Sequence, residues 1–280
     1  MVDLTALLTD LAAESEQLDA IVAPLPPPDW GRPTPAAGWT ISHQIAHLAW
    51  TDQVANLAAT DAGAFYASIS STPEVSRLVD AGAEAFLAPP AALLGRWRTG
   101  RSTLAASLAA VATGEKLPWY GTRMSPASMA TARIMETWAH GEDVADALGV
   151  SRPATARLRH IAYLGFRTFG HGFAAHGRAV PTTPVQIELA APTGDGEIWA
   201  FGPPDATDRV VGPARDFCLL VTQRRHRADL ALVATGPVAD EWLDVAQVFA
   251  GPPGAGRAPR SAAASGDDRA TGDDSIRTPT

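Results

Sequence analysis

Residues 135–149 read METWAHGEDVADALG, the C-terminal half of a helix that Ser125 and Pro126 open and Gly149 closes. Glu136 and His140 stand four residues apart, so both side chains leave that helix on one face. A carboxylate and an imidazole on adjacent turns can grip one metal ion. The spacing alone is weak, because Glu and His fall four apart by chance on many solvated helix faces.

A second stretch gives it weight. Residues 38–52 read GWTISHQIAHLAWTD, with Thr40 placed to cap a helix through about Ala59. His43 and His47 are also four apart. His47 lies among Ile41, Ile45, Leu48 and Trp50, where an unpartnered polar group is costly. It is either a core histidine bonded to a backbone carbonyl or a third ligand that meets Glu136 and His140 across a bundle. Two imidazoles and one carboxylate leave a fourth position open, as in catalytic zinc sites, whereas structural zinc sites are closed. Other divalent metals accept the same donors, so zinc is a preference.

The rest of the first 180 residues is helical grammar. Leu4, Leu7, Leu8, Leu11, Leu18 and Ile21 recur at helical spacing over 3–22. Residues 23–38 are rich in proline and form a loop. Residues 74–86 suit a helix, Pro89 and Pro90 open another that Gly114 ends, and 114–125 form a loop. A last helix is expected through 154–176. Few strand signals interrupt these four or five helices, so an up-and-down bundle over 1–180 is expected. After Pro181 the period changes. VQIELAA alternates, Gly194-Asp195-Gly196 turns, and EIWAFG reads as the partner strand. DFCLLVTQR suits a helix, DLALVATG a strand and ADEWLDVAQVFA a terminal helix. The expected architecture is therefore an α+β chain of two domains, with a small α+β module over 181–252. From 253 to 280 the only large aliphatic residue is Ile276. Such a segment buries too little apolar area to offset its ordering entropy, so a disordered tail is expected. Deleting 257–280 should then leave melting temperature and activity unchanged.

The 280 residues carry a formal charge of −8. That balance argues against a general nucleic-acid or anionic-membrane surface, which needs clustered Lys and Arg. No apolar run reaches the ~20 residues of a membrane span. The acidic N-terminus does not read as a secretory signal, so cytoplasm is the default compartment. Lys116 is the only lysine and Cys218 the only cysteine. The lysine-poor, Ala-, Gly- and Pro-rich composition looks like that of a GC-rich genome. A single cysteine excludes an intrachain disulfide and an all-thiolate metal cage. Cys218 sits in an apolar run, which suits a buried structural thiol better than a nucleophile.

Together, GWTISHQIAHLAWTD and ETWAHGEDVADALG resemble the paired signatures of the DinB-like metalloenzymes, within them the mycothiol-dependent maleylpyruvate isomerase group. The likeness spans about the first 250 residues. It implies a helix-bundle N-terminal domain followed by a small α/β domain comparable with sterol-carrier modules. It implies a divalent metal on His47, Glu136 and His140, and mycothiol or a similar thiol as co-substrate. A metal makes a bound thiol more acidic, and so a better nucleophile at neutral pH. If the thiol adds to an alkene and leaves after bond rotation, the result is cis–trans isomerisation; if it stays, the result is S-transfer. The resemblance also implies an arginine of the second module for the substrate's carboxylates, and Arg224 and Arg225 in VTQRRHR are the candidates. A basic patch at a helix end is the alternative for them.

His43 departs from the family pattern, where Asp or Arg is expected; it is an alternative ligand, a proton carrier or, as preferred here, a surface residue facing away. Asp143 is either a carboxylate that orients a ligand imidazole or a solvated acid. Glu142 is expected to face solvent. Trp50, Trp119 and Tyr120 line a pocket or build core. The partners expected are a small-molecule substrate and a low-molecular-weight thiol. Two other readings stand beside this one: a metal-dependent hydrolase, which needs no thiol, and a non-catalytic protein that holds metal and an apolar ligand.

Overall fold

The computed structural model describes residues 3–69, 75–120 and 122–260. Its first part is a helix bundle. Helix α1 (Leu4–Val22) starts at Asp3, whose carboxylate accepts from the Thr5 N–H at 2.9 Å. The proline-rich loop that follows holds a short 3-10 turn, Pro27–Gly31, with Trp30 buried. Helix α2 (Ile41–Thr60) begins at Thr40, whose N–H donates to Nδ1 of His43. Then come α3 (Ala62–Ile69), α4 (Val75–Phe86) and α5 (Pro90–Ala110). Helix α6 (Pro126–Leu148) is capped by Ser125 and ends at Gly149 in the left-handed conformation, as its sequence predicts. Helices α2, α5 and α6 pack on one another, α1 lies on α6, and α4 covers α2. Gly82 permits that last contact. A Cβ there would lie 2.3 Å from the Trp50 ring, so only glycine lets α4 come this close.

Three local expectations are corrected. Residues 114–125 are not only loop. Strands β1 (Leu117–Trp119) and β2 (Thr122–Met124) form an antiparallel hairpin on α2 and α6. The single helix expected over 154–176 is two, α7 (Leu158–Arg167) and α8 (Phe169–Ala175), broken at Thr168. The Thr168 hydroxyl donates to the carbonyls of Leu164 and Gly165, which ends α7 locally. Helix α3 was hidden because it continues the alanine-rich run of α2 after Asp61.

The second part is a four-stranded mixed sheet with two helices. Strands β3 (Val185–Ala190), β4 (Ile198–Phe201), β5 (Asp208–Pro213) and β6 (Val233–Thr235) stand in the order β4-β3-β5-β6. Strand β3 runs antiparallel to β4, pairing Ile187 with Phe201, and parallel to β5, pairing Val185 with Asp208. Strand β5 was not expected, since DRVVGP offers two valines between a charge and a Gly-Pro break. Helices α9 (Ala214–Val221) and α10 (Pro237–Val245) follow β5 and β6. One buried cluster runs from Leu11 in α1 through Trp138 in α6 to Phe217 in α9 and Trp242 in α10. No single helix among the described residues is long and apolar enough to cross a membrane.

A buried ion network ties the parts together. The Arg152 guanidinium donates to the Trp138 carbonyl at 2.9 Å, to Glu142 at 3.3 Å and to Glu14. Gly141 makes room for it, because a Cβ there would lie 2.6 Å from Nη1. Glu142, expected at the surface, is buried and also accepts from Arg215 of α9 at 2.9 Å. Part of the expected tail is packed as well. Arg257 pairs with buried Asp143, and the Arg260 N–H donates to Asp229. The remainder of that tail, 261–280, lies outside the described residues.

Two predictions follow from these pairs. Arg152→Met leaves Glu14 and Glu142 buried without their shared cation and should cost about 3–5 kcal/mol, read from denaturant unfolding. Truncation before Arg257 should lower the melting temperature, contrary to the expectation from composition. It removes one of the two arginines on Asp143, a loss of roughly 1–3 kcal/mol. An unchanged transition in either variant would show that the network adds nothing to stability.

Candidate metal centre

Helix α2 supplies Gln44 and His47, and α6 supplies Glu136 and His140, where the two helices pack. Nε2 of His140 lies 3.1 Å and Nε2 of His47 3.3 Å from the same oxygen, Oε2 of Glu136. One ligand atom from each of the three residues falls within 4.8 Å of the others, a spacing at which one ion can be shared. The expected ligand set is therefore brought together in space.

Gln44 decides which imidazole nitrogen faces the cluster. The Thr34 hydroxyl donates to the Trp39 carbonyl at 2.9 Å, so its oxygen accepts from the Gln44 amide nitrogen, also at 2.9 Å. The Gln44 carbonyl is thereby turned to Nδ1 of His140, 2.5 Å away, and accepts its hydrogen. Nε2 of His140 is left with a lone pair directed at the Glu136 carboxylate. Two acceptors face each other at hydrogen-bond distance, an arrangement that a cation between them resolves. The fixing of a ligand imidazole through its other nitrogen is a familiar device of metal sites. His47 is less constrained. Its Nδ1 is buried with no hydrogen-bond partner among the described residues, and Thr51 Oγ1 lies 3.5 Å from its Nε2.

The electrostatics agree with this geometry. Burial and the neighbouring His47 push the His140 imidazolium down to about 3, against the pull of Glu136, so the ring is neutral at neutral pH. Aromatic rings shield the cluster. Trp39 stacks on His140 with ring centroids 6.0 Å apart, and Trp50 flanks His47 at 6.1 Å.

The other candidates fall elsewhere. His43 caps α2 through Nδ1 and meets Glu84 at 3.2 Å through Nε2, so it is no ligand. Asp143 does not touch a ligand imidazole; Gln44 holds that position, and Asp143 lies between Arg224, at 3.0 Å, and Arg257. Arg224 also donates to the Ala139 carbonyl, and Arg225 binds both oxygens of Asp146 at 2.5 Å. Cys218 is buried, and burial pushes its thiol well above the ordinary range.

Beside the cluster opens a cavity of about 310 Å³. Trp50, Trp119 and Tyr120 line it together with His47 and Glu136, so these aromatics build a pocket as well as core. Val248, Phe249 and Ala250 also line it, which places the second part of the chain on the wall. Arg133, one helical turn before Glu136, also lines it and is held by Asp52 at 2.9 Å. Sequence reading missed Gln44 and Arg133. For Gln44 the signal was present: it is a polar residue in the same apolar run that made His47 conspicuous.

Residues 11–145 match the family model of the mycothiol maleylpyruvate isomerase N-terminal domain, and residues 181–235 that of wyosine base formation. Uncharacterized proteins from two strains of Mycobacterium tuberculosis are each 52% identical over 259 residues, covering 92% of this chain and 100% of theirs. The crystal structure of a mycothiol-dependent maleylpyruvate isomerase has a TM-score of 0.56 at 15% identity, over 83% of this chain and 93% of that one. A histidine-to-alanine variant of the same enzyme has a TM-score of 0.57 at 14% identity, with the same coverage. At that identity the solved structures speak for the fold. With the family model falling on the bundle that carries His47, Glu136 and His140, the chain belongs to the DinB-like, mycothiol maleylpyruvate isomerase-like family.

Proposed function

We propose that this chain is a divalent-metal enzyme that takes mycothiol, or a similar low-molecular-weight thiol, as co-substrate and acts as an S-transferase or cis–trans isomerase on a small electrophile. The observation that carries the reading is the lone pair of His140 Nε2, fixed through Gln44, facing the Glu136 carboxylate at 3.1 Å with His47 beside it. Two imidazoles and one carboxylate suit zinc, and the same donors accept other divalent ions. A divalent ion held there would make a thiol more acidic and supply a sulfur nucleophile at neutral pH.

The chain's own residues do the remaining work. Gln44 keeps the His140 ring in one tautomer and one orientation. Trp39 and Trp50 pack over the two imidazoles and restrict water around the cluster. The aromatic cavity next to Glu136 holds the electrophile against the site. No protein thiol takes part, since Cys218 is buried and strongly resists ionisation. The sulfur then arrives with the co-substrate. A GC-rich source fits a mycothiol producer.

Metal analysis of untagged protein should find about one divalent ion per chain, lost in Glu136→Ala, His140→Ala and His47→Ala while the helical circular dichroism stays. Gln44→Leu keeps all three ligands and should weaken metal affinity by about 10- to 100-fold. Mycothiol consumption with an electrophile would then distinguish transfer, in which thiol is used up, from isomerisation, in which it is returned. Protein that takes up no metal on reconstitution overturns the proposal. Turnover that needs metal but no thiol replaces it with a hydrolase.

A further inference from the structure

The wall of the cavity is uneven in its chemistry. Trp119, Met124, Met129, Leu164 and Phe249 make most of it apolar. Among the described wall residues Arg133 is the sole guanidinium, and it is 1% exposed. Its Nε donates to Asp52 at 2.9 Å and its Nη2 reaches the Leu48 carbonyl at 3.5 Å, but its Nη1 is buried with no acceptor. The hydroxyl of Tyr120, on the same wall, is also buried without a partner. Burial pushes that phenol up to about 12, so it remains a protonated donor. Tyr120, Arg133 and Glu136 all line this one cavity.

Two buried donors without acceptors are costly in a folded protein, and an oxygen-bearing ligand would satisfy both. A guanidinium whose Nε edge is engaged still offers its other N–H groups, and a carboxylate is the acceptor it binds most strongly. Among the described wall residues no second guanidinium stands ready for another carboxylate, and His171 already meets the Phe249 carbonyl at 3.1 Å through Nε2. Arg224 and Arg225 are matched by Asp143 and Asp146, and neither is on this wall. A second negative charge among these apolar side chains would be desolvated without a partner.

We propose that the cavity selects a monocarboxylate with an apolar, unsaturated body, its carboxylate taken by Nη1 of Arg133 and the Tyr120 hydroxyl, and that it rejects small dicarboxylates. Arg133 is then the specificity-determining residue. The inference rests on the proposed function in treating this cavity as the substrate site; the anchor itself needs neither metal nor thiol.

The test is binding of trans-cinnamate to the full-length protein, read by quenching of Trp50 and Trp119 fluorescence, with maleate and styrene as comparison probes. Cinnamate should bind at least tenfold more tightly than either, before and after metal is stripped by chelation. Tyr120→Phe should weaken cinnamate by about tenfold, the value of one hydrogen bond to a charged group, and leave styrene unchanged. Arg133→Met, made together with Asp52→Asn so that no lone carboxylate is buried, should abolish the preference for cinnamate over styrene. If that double variant does not fold, Tyr120→Phe decides. Equal binding of maleate and cinnamate, loss of cinnamate binding on chelation, absence of cinnamate binding, or full affinity in the folded variants overturns the inference. None of these results depends on thiol turnover, so failure here is distinct from failure of the thiol-enzyme reading, which metal content and mycothiol consumption decide.

Discussion

The hydrogen bond from His140 to Gln44 links two helices through a seam in which large apolar side chains are packed. Ile41, Ile45 and Leu48 of α2 and Ile134 and Val144 of α6 are buried around it. A seam of that kind could have been filled by leucines at no polar cost. Instead it encloses four polar side chains, each of which must be satisfied or forfeit a few kcal/mol. Gln44 satisfies its amide through Thr34 and its carbonyl through His140. What stays unsatisfied is the inward face, where the Nε2 lone pair of His140 meets the Glu136 carboxylate beside His47. The bundle is built to hold those acceptors close, and the packing around them supplies the stability that the arrangement itself lacks.

The same tension recurs around the site. Asp52 and Arg133 form a buried pair on the cavity side of α2 and α6, and burial raises the Asp52 carboxyl even against the pull of Arg133. On the opposite side Glu14, Glu142 and Arg152 make a second buried network, and Asp143 sits between Arg224 and Arg257. Buried charges such as these add little net stability compared with apolar packing, but removing one partner is expensive. Their effect is to fix how α1, α9 and the segment around Arg257 sit against α6. The position of α6 in turn fixes Glu136 and His140, so the second part of the chain bears on the site without providing a ligand.

Much of this was legible in the chain. Caps and breakers marked α1, α2, α5 and α6 closely: Thr40, Pro90, Ser125 and Gly149 all serve as their residue types predict. Spacing of four on α6 placed Glu136 and His140 on one face, and the apolar neighbours of His47 marked it as inward on α2. Local signals failed where pairing is non-local. The β1–β2 hairpin and β5 are short and depend on neighbours for their hydrogen bonds, which composition does not announce. Glu142 read as a surface acid because nothing local shows that Arg152 and Arg215 will enclose it.

The sequence by itself determined the helices, the polarity of their faces and the donor types available for a metal, because these depend on residues within one or two turns of each other. Only the tertiary structure decided that Gln44 rather than Asp143 holds the His140 ring, that Arg224 and Arg225 are spent on Asp143 and Asp146, and that Arg133 keeps a free donor on the cavity wall. Those outcomes turn on which side chains from separate elements come within about 3 Å of each other, the range over which a hydrogen bond forms. Spacing along a helix fixes the face a side chain leaves from, and the packing of neighbouring elements fixes what it meets there.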